Sequence, residues 1–346
     1  MYVVNHLIYA DLYNLVPWVH MDPVYPCYDA AVHGNETHTF TMSSGAKETE
    51  TFGEDALVCR RWGKNQYYPG QPKYDEALHP KNFTIKGNGL WKSYFAPMSG
   101  YPPDDPSCRD KPLLQLNTRS RFPGMHFCAP WAVRPWPIPS TPVGLKPDAA
   151  HQTVHEWLAP MRERGANKVD KYFRPLSWME ELVEKANPTS NKKCLSIHIR
   201  LTDKRHGREK KPLHLFQYYA EAYSKASGGG SIFVATDDGT IFDTIRSNWT
   251  ISELYYQKNI IRSSGNAAIY STFQNETHRT NTEGIVDMYA MSRCDFFVHG
   301  FSAMAEAAIF INPALHNRSV NVDVNEKERI GAPEFGKIVE DYYKQQ

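Results

Sequence analysis

Between Cys194 and Asp323 the chain alternates short apolar runs with stretches whose apolar residues recur every three or four positions. This alternation limits the fold more than any other feature of the sequence. Strands are expected at Cys194–Arg200, Ser231–Thr236, Thr250–Tyr255, Asp295–His299 and Arg318–Asp323. Helices are expected at Leu213–Ala226, around Ile241, Phe242 and Ile245, from a capping box Thr280-x-x-Glu283 to Arg293, and at Ser302–Ile311. Gly228-Gly229-Gly230 turns the chain into the second strand. Apolar strands separated by helices need cover on both faces, which predicts an α/β fold around a parallel sheet.

Ligands of such sheets bind beyond the carboxyl ends of the strands. Those ends are Arg200 with Leu201 to Lys204, Thr236-Asp237-Asp238, and His299-Gly300-Phe301-Ser302, all polar or charged. Arg200, Lys204, Arg205 and Arg208 crowd one exit. Ser302 opens a helix, whose free N–H groups and dipole attract an anion. Arg suits bidentate phosphate binding, so a phosphorylated small ligand is the natural guest. Asp237 and Asp238 suit ribose hydroxyls, base N–H groups or a neighbouring cation. The plainer reading is a solvated basic loop with capping residues. Gly87-x-Gly89 lacks a third glycine and a strand–helix context, there is no Walker loop, and no Asp-x-Asp occurs to clamp a diphosphate through a metal. Arg and Lys are the metal-free substitute. Gly300-Phe301-Ser302-Ala303-Met304 resembles part of a nucleophile elbow, but Met304 replaces the last glycine, and the one later histidine, His316, precedes Asp323.

Upstream, Val154, Trp157, Leu158 and Met161 mark a helix, and Ser177-x-x-Glu180 is read as a capping box opening another that ends at Asn187-Pro188. Val4, Leu7, Ile8, Leu12 and Leu15 form a helical face, followed by a strand at Leu15–Val19. Fourteen of the 24 prolines fall between Gln66 and Pro142 among aromatics, which predicts ordered loops rather than long regular elements. The 346 residues thus divide into an N-terminal α/β domain over 1–161, bridging helices over 162–190, a Rossmann-like domain over 191–330 and a C-terminal helix over 331–346. The first residues already lie within a helix, so a preceding strand is expected to be missing from the start.

Lys plus Arg is 39 against 38 Asp plus Glu, which gives no reason to expect a nucleic-acid partner. No run of 18 apolar residues is present to span a membrane. None of the six cysteines forms a C-x-x-C pair; Cys27, Cys59, Cys108 and Cys128 lie in loop-like sequence, where an oxidising compartment would let them pair, and Cys194 and Cys294 read as buried thiols. Sequons at Asn35, Asn82, Asn248, Asn275 and Asn317 lean towards the secretory pathway, although polar residues in the first 20 exclude a signal peptide there.

Ser196-Ile197-His198-Ile199-Arg200-Leu201-Thr202-Asp203-Lys204 resembles the His-Val-Arg-Arg-Thr-Asp-Lys signature of the α1,6-fucosyltransferase and nodulation fucosyltransferase family. Phe233-Val-Ala-Thr-Asp-Asp238 resembles that family's Leu-Ala-Thr-Asp-Asp, and Gly284-Ile-Val-Asp287 through Phe301-Ser302 its Asp-bearing helix and Phe-Ser turn. The match covers about residues 190 to 325. The resemblance implies a GT-B-like fold of two Rossmann-like domains facing a cleft. It implies inverting, metal-independent transfer of fucose from GDP-fucose to a glycan or glycoprotein, with no further cofactor, in the Golgi lumen. Under it Arg200 binds the β-phosphate, Lys204 helps the leaving group and Glu209 deprotonates the acceptor. Asp237 and Asp238 hold the nucleoside, Asp287 and Ser302 complete the donor pocket, and His198, Asp203, Thr236 and Phe301 belong to the same site. Asp203 is equally placed to orient Arg200 or Lys204, and His198 read alone is a strand-packing histidine. Leu201 stands where the signature has its second Arg, and Glu209 aligns with one residue inserted. The alternatives are a homologue that binds nucleotide or sugar without catalysis, a transferase using another sugar nucleotide, and a serine hydrolase.

Overall fold

The computed structural model describes residues 153–188, 193–202, 210–250, 253–263, 269 and 277–346, with Tyr94, Phe95 and the backbone of five short strands between residues 27 and 68. The opening helix, the strand at 15–19 and nearly all of the proline-rich stretch lie outside these residues. The early strands are Cys27–Asp29 (β1), Thr37–Thr41 (β2), Lys47–Thr51 (β3), Leu57–Arg61 (β4) and Lys64–Tyr68 (β5). They pair antiparallel as β1-β4-β5 and β2-β3, and the β1/β4 register sets Cys27 opposite Cys59.

The long helix Val154–Tyr172 (α1) is followed by Ser177–Ala186 (α2). Next come Cys194–Ile199 (β6), Leu213–Ser227 (α3), Ser231–Thr236 (β7), Gly239–Asn248 (α4), Leu254–Tyr255 (β8) and Thr277–Ser292 (α5). Phe296–His299 (β9), Ala303–Ile311 (α6), Ser319–Asn321 (β10) and Ala332–Lys344 (α7) complete the chain. The five strands β6 to β10 form one parallel sheet in the order β10-β9-β6-β7-β8. The fold is α/β, as the alternation of apolar runs requires. The strand order reverses between β6 and β9, which makes their ends the switch point where such sheets open a crevice.

Every residue of β6, β7 and β9 is buried. Side chains alternate across the sheet, so each strand feeds two cores. Cys194, Phe233, Ala235 and Phe297 meet Met179 and Val183 of α2, Val286 and Ala290 of α5, and Ala305 and Ile309 of α6. Leu195, Ile197, Ile232, Val234 and Val298 meet Phe216, Tyr219 and Tyr223 of α3, Ile245 of α4, and Phe335 and Val339 of α7. Two cores on opposite faces of one sheet give three layers. Gly228 adopts φ 72° at the end of α3, the left-handed conformation that a side chain disfavours, and starts the turn into β7.

Three local expectations change. Ser177 does not cap α2; the Leu176 carbonyl already accepts from the N–H groups of Met179 and Glu180, at 2.9 and 3.0 Å, so the helix begins one residue earlier in its bonding. Thr280 lies inside α5, and Glu283 accepts instead from the Ile261 N–H at 3.0 Å and from Arg279 at 2.8 Å. A capping box does occur at Thr153, whose hydroxyl accepts from the Glu156 N–H while the Glu156 carboxylate accepts from the Thr153 N–H. Cys194 and Cys294 are not free thiols: they are joined as a disulfide between the start of β6 and the turn after α5, with Cα atoms 4.6 Å apart. Helix α1 runs without a break through residue 161 and packs Leu158 and Met161 against Phe301.

Candidate functional site

The exits of β6 and β9 frame a cleft lined by His198, Arg200 and Leu201 on one side and by Gly300, Phe301 and Ser302 on the other. Lys210, Lys211 and Phe216 approach from the start of α3, and Asp323 from beyond β10. The sheet register explains the convergence. His198 lies beside His299 on the neighbouring parallel strand, so β9 leaves the sheet at Gly300 and β6 one residue later in register, at Arg200.

Arg200 is held rather than loose. Its Nε lies 3.7 Å from Asp237 Oδ2, with side chains 29% and 17% exposed. The same carboxylate accepts from the Leu201 N–H at 3.3 Å and the Thr202 hydroxyl at 2.5 Å. Asp237 therefore fixes the path of the chain out of β6 and aims Arg200 from the neighbouring strand. Asp238 does something different: its Oδ1 accepts from the N–H groups of Thr240 and Ile241, at 2.9 and 3.2 Å, and caps α4. Thr236 ends β7 buried, its hydroxyl accepting from the Asp238 N–H at 3.3 Å.

Ser302 caps α6, accepting from the Met304 N–H at 3.2 Å, with only 3% of its surface exposed. The turn before it is set by Asp323, whose Oδ2 accepts from the Phe301 N–H at 2.7 Å. A Cβ at Gly300 would fall 2.7 Å from that same oxygen, so any side chain there would push Asp323 away from the Phe301 N–H. The nucleophile-elbow reading fails here. Ser302 is committed to the helix cap, and His316 Nδ1 accepts from Arg162 Nη1, 2.9 Å away, while its ring stacks on His155 at 3.9 Å.

Asp287 is not among the residues lining this cleft. It is buried in α5, where Gln257 Nε2 donates to it at 2.5 Å. Burial pushes its carboxyl up to about 7, opposed by the Gln257 bond and the charge of Arg262. Glu283, one turn earlier, is also raised to about 7 by burial, opposed by the Ile261 N–H and Arg279. These two acids form a second polar cluster below the ends of β7 and β8. Lys204, Glu209 and Asp203, with Arg205 and Arg208, lie outside the described residues.

Sequence reasoning missed Lys210, Lys211 and Asp323 as lining groups. The two lysines directly follow the basic run that begins at Lys204, and that adjacency was the available signal. It also missed the bidentate pair beneath the cleft, in which Arg162 Nε and Nη2 each donate to Glu306 at 2.8 Å. Burial disfavours the Glu306 charge, but Arg162 outweighs it and holds the carboxyl below its ordinary range. His299, fully buried beside this pair, is depressed to about 4 by burial. Among the described residues no three His, Cys, Asp or Glu side chains gather as a metal would need, and no helix is long and apolar enough to cross a membrane.

No family model matches the chain, and no curated protein does. Similar solved structures include NodZ alpha-1,6-fucosyltransferase soaked with GDP-fucose, at 15% identity and TM-score 0.31, over 47% of this chain and 49% of that one. A point mutant of Arabidopsis thaliana FUT1 in complex with GDP is similar at 13% identity and TM-score 0.30, over 51% of this chain and 40% of that one. The chain thus spans less than half the length of either protein.

Proposed function

We propose that the chain is a glycosyltransferase that moves fucose from GDP-fucose to a hydroxyl of a glycan or glycoprotein, with inversion and without a metal. The observation that carries the reading is Arg200, held by Asp237 at the switch point of a parallel sheet and facing the N-terminus of α6 across a cleft. The signature resemblance around Arg200, Asp237 and Ser302 supplies the identity of the donor.

In this reaction the acceptor oxygen bonds to C1 of fucose from the face opposite GDP. The bond from C1 to the β-phosphate oxygen breaks, and its electron pair leaves with GDP. A hydroxyl is a poor nucleophile at neutral pH, so the proton passes to a carboxylate, assigned to Glu209. The departing diphosphate gains negative charge, which Arg200 and Lys204 stabilise as fixed cations. His198, Phe301 and Ser302 shape the donor pocket; Asp203 orients a cation. Thr236 and Asp287 act from the adjoining strand end and α5, on the nucleoside side, and Asp238 acts there only through the α4 cap that fixes the backbone of that end. The Cys194–Cys294 disulfide and the exposed sequon residues Asn248 and Asn317 support a secretory-pathway location, with the Golgi lumen as the site of action.

A second reading is a homologue that binds a nucleotide or sugar without turnover. It is favoured by Leu201, which lines the cleft, rests half-buried against the apolar core beside α3 and adds no charge to the exit. A hydrolysis screen over sugar nucleotides, with GDP binding measured in parallel by calorimetry, separates the two. Slow release of fucose from GDP-fucose supports the transferase. GDP binding with no turnover on any donor or acceptor supports the second reading, and preference for another sugar nucleotide replaces the donor.

A further inference from the structure

Two of the sequons fall within described residues, and the fold treats them differently. Asn248-Trp249-Thr250 closes α4, and the helix ends inside the motif. Asn248 is the last helical residue, and Trp249 is extended, at φ −83° and ψ 119°. Trp249 is only 8% exposed and packs into the core with Ile245 and Leu254. Asn248 and Thr250 on either side of it are exposed. The buried indole thus pins the centre of the motif and leaves its two reactive ends in solvent. The position is also remote from the cleft. β7 and β8 are neighbouring parallel strands, and Leu254 pairs with Ile232 near the start of β7, so α4 must return the chain to the starting edge of the sheet. Over ten residues the helix carries Asn248 about 15 Å from the Asp238 end. The second motif, Asn317-Arg318-Ser319, is exposed at its first residue but tied at all three. Asn317 Oδ1 lies 3.2 Å from His155 Nε2 in the first turn of α1, and Arg318 Nη1 donates to the Tyr342 hydroxyl at 2.5 Å. Ser319 is half-buried and opens β10, where it pairs with Phe297 of β9.

We infer that Asn248 carries an N-linked oligosaccharide and that it is filled ahead of Asn317. Asparagine glycosylation takes an Asn with a hydroxyl two residues on, and the bulky product must stay at the surface of the folded chain. The co-substrate class is an oligosaccharide on a lipid diphosphate, supplied with its transferase by the secretory pathway. Asn248 Nδ2 bonds to the anomeric carbon of that oligosaccharide. The bond from this carbon to the diphosphate oxygen breaks, its electron pair leaves with the lipid diphosphate, and the amide gives up one proton. At Asn248 the product extends from the edge of the sheet away from the cleft. At Asn317 it competes with the His155 contact and with the pairing of β10 on β9. The inference rests on the secretory-pathway location proposed above, for which the Cys194–Cys294 disulfide is separate support, and not on the donor or the reaction.

The test is site-by-site occupancy in the full chain, directed into the endoplasmic reticulum of a eukaryotic host by a cleavable signal peptide. Peptide N-glycosidase in heavy-oxygen water converts each glycosylated Asn to a labelled Asp, and peptide mass spectrometry reads every sequon separately. Asn248 is expected to be labelled on most molecules and Asn317 on fewer. Asn248→Gln and Thr250→Ala should each remove one step of gel mobility, and Thr250→Ser should restore it. An unlabelled Asn248 in the wild-type chain overturns the inference, and Asn317 labelled as fully as Asn248 overturns the order of filling. The same digest on protein from its native cells tests the location by itself. Labels on other sequons but not on Asn248 overturn the inference and leave the location standing. Labels on no sequon there, with Asn248 labelled in the directed chain, overturn the secretory location and the glycan with it.

Discussion

Replacing Glu306 by Gln should cost far more than a surface charge change, and the structure says why. Arg162 donates two parallel bonds of 2.8 Å to Glu306, with side chains only 6% and 1% exposed, and a third contact of 2.9 Å to His316. Gln keeps one acceptor oxygen and turns an NH2 towards a guanidinium that can only donate. The variant therefore buries an unbalanced Arg charge and leaves donors facing donors. Breaking one side of a buried pair costs about 3–5 kcal/mol, which corresponds to a fall in Tm of roughly 6–20 °C for a domain of this size. Because Arg162 belongs to α1 and Glu306 to α6, the same change loosens the helix whose N-terminus faces the cleft. Urea denaturation gives the stability change. The double variant Arg162→Met/Glu306→Leu should recover most of the loss, since apolar replacement of both partners removes the desolvation cost. A Glu306→Gln variant within about 1 kcal/mol of wild type would refute the reasoning, because the pair would then be behaving as an exposed one.

Acid should destabilise the β9 end of the sheet: His299 is fully buried with its pKa lowered to about 4, so the unfolded chain binds its proton first. The stability it contributes is present above pH 6.5 and declines between pH 6.5 and 4, by about 3 kcal/mol in all. Asp287 and Glu283, raised to about 7 by burial, act in the opposite direction, losing stability as pH rises through that value, so the His299→Phe variant is compared with wild type across pH 4 to 7 to separate the histidine's effect from theirs. Asp238→Ala should lose about 1 kcal/mol as a helix cap, while Asp238→Asn keeps both stability and donor affinity; loss of GDP affinity in a stable Asn variant would show that the carboxylate binds ligand. Peptide mapping without reductant should recover Cys194 linked to Cys294, and Cys294→Ser should lower stability by about 4–5 kcal/mol from the 100-residue separation; recovery of both as alkylated thiols contradicts the link.

The parallel sheet was legible because its strands are buried on both faces and therefore read as unbroken apolar runs, as in Ser231–Thr236, where observed and expected bounds coincide. The strand ends were legible for the same reason: a charged residue cannot continue a run covered on both sides, so Arg200 and Asp237 mark two exits, while Gly300, with no side chain to pack, marks the third. Roles within an exit were not legible. Asp237 and Asp238 are adjacent and chemically identical, yet one braces Arg200 and the other caps α4, and only the backbone direction after β7 separates them. Long-range pairs were hidden as well. Arg162 meets Glu306 across 144 positions, and no local pattern announces a partner so distant. Cys194 and Cys294 each sit in an apolar setting that reads as a buried thiol, and only the packing of α5 against the start of β6 brings the sulfurs together.

Transfer from GDP-fucose by wild type and by Arg200→Ala, on a panel of glycan and glycoprotein acceptors, tests the central claim most directly. The account predicts fucosylated product with wild type and at least a hundredfold loss in Arg200→Ala, with an unchanged circular dichroism spectrum. Full transfer by a folded Arg200→Ala variant would contradict the assignment of the cleft.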